Sequence, residues 1–144
     1  MVITPEFGPR VRFSKIFTDM PLVETKPALK GVREFCDICT KCADACPPKA
    51  LPYGPPSEKA ANASTIKGVR KWSADCEKCF GYWAKIGTDC TICMRVCPFN
   101  RPYDSWQNKL FLKMAYGRLR KLALWWDDQS SRAKRIKPND WWHS

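Results

Sequence analysis

Residues 36–47 read CDICTKCADACP, with Cys36, Cys39, Cys42 and Cys46 at spacings of two, two and three and Pro47 directly after. Three thiols two residues apart can wrap a compact loop around one centre. The fourth lies a helical turn further on and points away from it. Pro47 restricts Cys46 to an extended conformation and stops the turn there. Residues 90–98, CTICMRVCP, repeat the end of that run with Cys90, Cys93, Cys97 and Pro98. A strict repeat would place one more cysteine at position 87, but the residue there is Gly87. The missing member has to come from upstream, where Cys76 and Cys79 are both available.

The first run is the pattern of bacterial two-cluster ferredoxins, in which the fourth cysteine ligates the other cluster. Exchange of that kind yields a definite assignment. Cluster one takes Cys36, Cys39, Cys42 and Cys97. Cluster two takes Cys46, Cys90, Cys93 and one of Cys76 or Cys79. Eight of the nine cysteines are then used, which accounts for the odd number. A disulfide framework fits poorly, because cysteines this close together make poor mutual partners when several must pair within one turn. Structural zinc fits less well than two [4Fe–4S] clusters. Zinc modules come as separated CxxC pairs rather than a triple run ending in Cys-Pro.

The rest of the composition agrees with a folded cofactor protein. The chain has 144 residues, enough for one domain or a piece of a larger one. Its hydrophobic content of 44% argues against a disordered tail. A chain this long buries roughly two thirds of its unfolded surface and needs no disulfides to hold together. The single histidine, His143, sits beside the C-terminus, which disfavours His-based zinc catalysis and a Ser–His–Asp triad. The 25 Lys and Arg against 14 Asp and Glu leave +11. Eight thiolates on two cluster cores bring that to roughly +7. The basic excess is partly counter-charge for an anionic cofactor, and no nucleic-acid role is expected.

Residues 1–30 show no basic start followed by an apolar run, and no stretch approaches about 18 unbroken apolar residues. Neither a secretory signal nor a transmembrane segment is visible in this chain. Val11 and Phe13 alternate with Arg10, Arg12 and Ser14, the period-two pattern of a half-buried strand, with Gly8–Pro9 punctuating its start. Pro21 and Pro27 act as breakers. Residues 53–71, rich in Pro, Gly, Ala and Ser, read as a surface insertion. An amphipathic helix of about twenty residues starts near Asp104 or Ser105, a good N-cap. Its apolar face holds Phe111, Met114, Ala115, Leu119, Leu122 and Trp126, with Lys109, Lys113 and Arg120 opposite. Gly117 weakens it by roughly 1 kcal/mol. It reads as a surface helix docked on the core, with a membrane-lying or partner-binding helix as the sharper alternative. Trp125–Trp126 and Trp141–Trp142 read as packing residues, the last pair on an ordered tail.

The second cysteine group is split and surrounded by aromatics: KWSADCEKCFGYWAKIGTDCTICMRVCPFN. Together with VREFCDICTKCADACPPKAL and the opening ITPEFGPRVRFSKIFTDMPL, it resembles the C-terminal iron–sulfur portion of corrinoid-dependent reductive dehalogenases, the chlorinated-ethene type in particular. The resemblance covers most of residues 3–103. In that family a cysteine lies four residues before a tryptophan, a pattern that matches Cys79 and Trp83. It therefore implies Cys79 as the eighth ligand and leaves Cys76 a spare thiol. It also implies an α+β architecture. Residues 1–30 would be the strand remnant of a nitroreductase-like corrinoid domain. Residues 31–103 would form a bacterial ferredoxin-like two-[4Fe–4S] module with the 53–71 insertion, and residues 104–144 the C-terminal helix and tail.

The family mechanism implied is cleavage of a carbon–halogen bond of an organohalide by a reduced corrinoid. The two clusters relay single electrons to it from a membrane donor or small membrane anchor protein. The corrinoid-binding domain is expected upstream of residue 1 in the parent chain. The parent is expected at the outer face of the cytoplasmic membrane after Tat export, and this chain alone is expected to dehalogenate nothing. The resemblance offers Arg10 or Arg12 as counterparts of a family arginine near the substrate or proton donor; the alternative is that both are exposed arginines on a strand. Trp72 and Trp83 are expected to shield a cluster. The competing readings are a stand-alone ferredoxin-type carrier, an epoxyqueuosine reductase relative, and a zinc-stabilised interaction module. Cys79-Phe80-Gly81-Tyr82-Trp83 disfavours the second, whose members carry a Tyr-Leu-Thr-Ile-Glu-like run at that place.

Overall fold

The computed structural model describes residues 2–4, 6–24 and 31–130. Along them run six helices: α1 (Val32–Cys36), α2 (Lys41–Asp44), α3 (Cys76–Ile86), α4 (Ile92–Arg95), α5 (Trp106–Tyr116) and α6 (Arg120–Gln129). Among the described residues there is no strand, only two isolated antiparallel bridges, Thr4 to Gly8 and Ser57 to Lys71. The regular structure of the described residues is thus helical, and the strand part of the α+β expectation is not found among them. The predicted strand around Val11 and Phe13 does not form, and Phe13 is 69% exposed. A strand is stable only when a partner satisfies its N–H and C=O groups, and none of the described residues pairs with this segment.

The two cysteine runs fold alike. Thr40 opens α2 with φ −107° and ψ 1°, and Thr91 opens α4 with φ −110° and ψ 17°. Ala43 and Asp44 bond back to the Thr40 carbonyl at 2.9 Å. Met94 and Arg95 do the same to Thr91 at 3.0 and 2.9 Å. The nitrogens of Cys46 and Cys97 each reach the carbonyl three residues back at 3.3 Å. The repeated sequence thus gives a repeated turn, and α2 and α4 pack against each other.

Helix α3 supplies the upstream cysteines. The Asp75 side chain caps it, accepting the Lys78 N–H at 3.0 Å and the Asn62 amide at 2.8 Å. It ends at Gly87, whose φ of 73° is the left-handed conformation that favours glycine at a helix C-terminus. This explains why position 87 carries no cysteine: it terminates the helix that presents Cys76 and Cys79.

The core is aromatic. Phe35, Phe99 and Phe111 are fully buried, and their rings meet edge to face with centroids 5.1 to 6.4 Å apart. Tyr116 stacks on Phe99, and Trp126 meets Phe111 edge-on. Each buried phenylalanine contributes on the order of 2–3 kcal/mol of transfer free energy.

The predicted C-terminal helix begins where expected, with Ser105 at its N-cap, but it is two helices rather than one. Gly117 adopts extended backbone and separates them, and α5 and α6 pack on each other. The break redistributes the predicted apolar face. Phe111 and Ala115 are buried, whereas Leu119 and Leu122 are 57% and 48% exposed and Ala123 takes the buried place. Pro27, Trp141, Trp142 and His143 lie outside the described residues.

Candidate metal centres

All nine cysteines are free. Cys46 and Cys97, the fourth members of their runs, are buried, and Cys76 alone is exposed. A cavity of about 160 Å³ opens between the two runs. Its walls include Cys36, Cys39, Cys42, Cys93 and Cys97 together with apolar Ile3, Phe35, Pro98 and Phe99. Trp72 also lines it, its indole N–H fixed on the Gly54 carbonyl at 2.8 Å.

The electrostatics of the thiols reflect burial and their neighbours. Burial pushes the Cys97 thiol up to about 12; the Phe99 N–H pulls against this, and Cys36, Cys39 and Cys42 add to it. Burial, with Cys39 and Cys42 beside it, pushes the Cys36 thiol up to about 12 as well. Cys79 is raised by burial and then by Cys46, Cys90 and Cys76. Cys93 is raised by burial, is eased by the Met94 N–H, and then feels Cys42, Cys79 and Cys90. Cys97, from the second run, therefore has the first run's trio as neighbours, and Cys46, from the first run, neighbours Cys79.

Backbone geometry supplies donors to the sulfurs. The Ala50 N–H donates to Cys46 Sγ at 3.3 Å, and the Ala50 carbonyl accepts the Asp75 N–H at 2.8 Å. One residue thus links Cys46 to the cap of α3, the helix that carries Cys79. The N–H groups of Lys41 and Ala43 stabilise the thiolate forms of Cys39 and Cys42, each working against burial, which raises both thiols.

The donor set fits iron–sulfur clusters. Buried thiols that resist ionisation need a strong local cation to become thiolates, and cluster iron supplies one. Among the described residues no three His, Cys, Asp or Glu side chains converge closely enough to hold a single metal ion. In a four-iron cubane each thiolate serves a different iron, a wider setting than the tetrahedron of one zinc.

The weaker candidates lie elsewhere. Arg10 and Arg12 are exposed and neither lines the cavity, although the Arg10 charge reaches the Tyr103 hydroxyl. Trp83 sits on α3, 36% exposed. The sequence reading missed an ionic cluster beside the first run. Arg101, 4% exposed, pairs with Asp127, donates from Nε to the Pro98 carbonyl at 2.6 Å, and lies over the Phe111 ring. Lys41 bonds Asp127 at 2.5 Å and Asp128 at 2.7 Å. No local pattern signals pairs this far apart in the chain.

Residues 35–100 match the family of 4Fe-4S double cluster binding domains. The chain is 48% identical over 99 residues to the tetrachloroethene reductive dehalogenase of Sulfurospirillum multivorans, covering 69% of this chain and 20% of that protein. It is 39% identical over 112 residues to a tetrachloroethene reductive dehalogenase of Desulfitobacterium hafniense, covering 75% and 20%. An epoxyqueuosine reductase of Bacillus cereus is 31% identical over 106 residues, covering 72% of this chain and 26% of that one. The chain carries a double-cluster iron–sulfur domain. Over that region it is a homologue of the reductive dehalogenases, and it spans about a fifth of the length of the dehalogenase relatives it matches.

Proposed function

We propose that this chain is the electron-transfer portion of a reductive dehalogenase. One [4Fe–4S] cluster is held by Cys36, Cys39, Cys42 and Cys97, the other by Cys46, Cys79, Cys90 and Cys93. The observation that carries the reading is that Cys97, from the second run, lines one cavity with Cys36, Cys39 and Cys42 of the first; Cys93 borders the same cavity and also neighbours Cys79 and Cys90. The clusters supply one-electron storage when bound. The chain's own residues do the rest. Phe35, Phe99, Pro98 and Trp72 exclude water from the first site, and backbone N–H groups offset thiolate charge. Both effects tune potential.

In the parent protein the electrons pass to a corrinoid held by the upstream domain, where a carbon–halogen bond of an organohalide such as a chlorinated ethene is cleaved. The electron source is a membrane donor or small membrane anchor protein. The parent works at the outer face of the cytoplasmic membrane after Tat export, and nucleic acid has no part in it. Among the described residues no helix is long and apolar enough to cross a membrane. The similarity to the dehalogenases is higher than that to the epoxyqueuosine reductase, 48% and 39% against 31%, which favours the former reading.

Anaerobic reconstitution followed by metal analysis tests the proposal. About eight irons and eight labile sulfides per chain are expected. About two zincs and no labile sulfide would replace the reading with a zinc module.

A further inference from the structure

We infer that Asp127 is a positioning residue for the first cluster alone: it ties the two cysteine runs together there and offsets the two cations that flank them. The inference rests on the two-cluster reading. Lys41 stands between Cys39 and Cys42, and Arg101 lies four residues beyond Cys97. The Asp127 carboxylate, from the last turn of α6, engages both. Its side chain is 9% exposed and that of Arg101 is 3% exposed, so little water screens the pair. Lys41 Nζ also donates to Asp128 at 2.7 Å.

The pseudo-twofold makes the arrangement one-sided. Aligning Cys39-Thr40-Lys41-Cys42 on Cys90-Thr91-Ile92-Cys93 puts apolar Ile92 where the first run has Lys41. Aligning Cys46 on Cys97 puts Ala50 where the second run has Arg101. The second cluster therefore has no cation at either equivalent position. A positive charge beside a cluster favours the added electron, and the effect falls with distance. With Asp127 in place, and Asp128 also on Lys41, the pair of cations is compensated. Without Asp127 one positive charge is left over, which acts on the nearer cluster and raises its potential.

Redox titration of the reconstituted chain, followed by electron paramagnetic resonance, tests this. In Asp127→Asn one of the two midpoints is expected to rise while the other stays. Adding Lys41→Met to that variant should return the raised midpoint toward the wild-type value, which a merely structural role would not do. Both midpoints moving together, or neither moving, overturns the inference. Should Asp127→Asn fail to retain iron, Lys41→Met alone is read: one midpoint falling supports the inference, and unchanged midpoints overturn it. A wild-type chain that takes up no iron fails the two-cluster reading instead, so the two failures are distinct.

Discussion

The rings of Phe35 and Phe99 meet edge to face with their centroids 5.1 Å apart. Phe35 directly precedes Cys36, and Phe99 lies two residues past Cys97. The contact therefore joins the two cysteine runs through the core rather than through any ligand. Phe99→Ala should lower stability by about 3–5 kcal/mol, since it opens a hole between three other rings. That is a large fraction of the roughly 5–15 kcal/mol a domain has. Chemical denaturation of the reconstituted chain measures it, and a loss below about 1 kcal/mol would contradict the packing described.

Cys76 and Cys79 share one helix but differ in surroundings. Cys76 is exposed, and its thiol is 3.7 Å from the Ala74 carbonyl, whereas Cys79 feels Cys46 and Cys90. Cys79→Ser is expected to cost about half of the iron, and Cys76→Ser to leave it unchanged. Equal loss from both, or loss from Cys76→Ser alone, would show that the other thiol is the ligand. Iron analysis of the two variants decides between them.

Tyr103 offers a pH test. Its hydroxyl donates to the Phe99 carbonyl at 2.7 Å. Burial first, then the neighbouring Tyr116 and Cys97, push its pKa from 10.0 up to about 12. The folded chain thus holds this proton to higher pH than the unfolded chain. The stability it contributes is fully present below about pH 10 and lost as pH rises toward 12. Tyr103→Phe should be less stable than wild type by about 1 kcal/mol at neutral pH, from the lost hydrogen bond. The gap should narrow between pH 10 and 12. A gap that stays constant across that window would contradict the shift.

Gly31 caps α1 with φ 88° against the end of α5. A Cβ there would lie 2.4 Å from the Tyr116 carbonyl oxygen and 2.8 Å from its Cα. Gly31→Ala therefore meets rigid backbone as well as a left-handed conformation. The conformation alone costs about 1–3 kcal/mol, so a drop in thermal stability of several degrees is expected for a domain of this size. An unchanged melting temperature would mean that α1 and α5 do not pack as described.

The cysteine runs were legible because cluster spacing is local: a loop around a cubane has to be written in consecutive residues, and the repeat at 90–98 shows directly. The start of α5 after Ser105 was legible because helix starts are also marked locally, although the Ser105 side chain makes no capping hydrogen bond. Helix α3 carries ordinary start and stop signals in Asp75 and Gly87, but its cysteine spacing announces ligands rather than a helix. The alternation of Val11 and Phe13 predicts a strand, but alternation says nothing about whether a partner exists. Apolar periodicity ran on across Gly117 and concealed the break. The Lys41, Arg101 and Asp127 cluster left no trace, because charges 86 residues apart in the chain, as Lys41 and Asp127 are, carry no common local pattern.

That break at Gly117 fixes where the acidic end of α6 arrives. A single straight helix over residues 106–129 would run about 36 Å and carry Asp127 away from Lys41. Turning α6 back on α5 brings the carboxylate home. One residue inserted or deleted between Tyr116 and Arg120 would rotate α6 by about 100° about its axis. Evolution can therefore lengthen or trim the exposed stretch at 66–69 more freely than this short elbow, whose residue number sets where Asp127 meets Lys41 and Arg101.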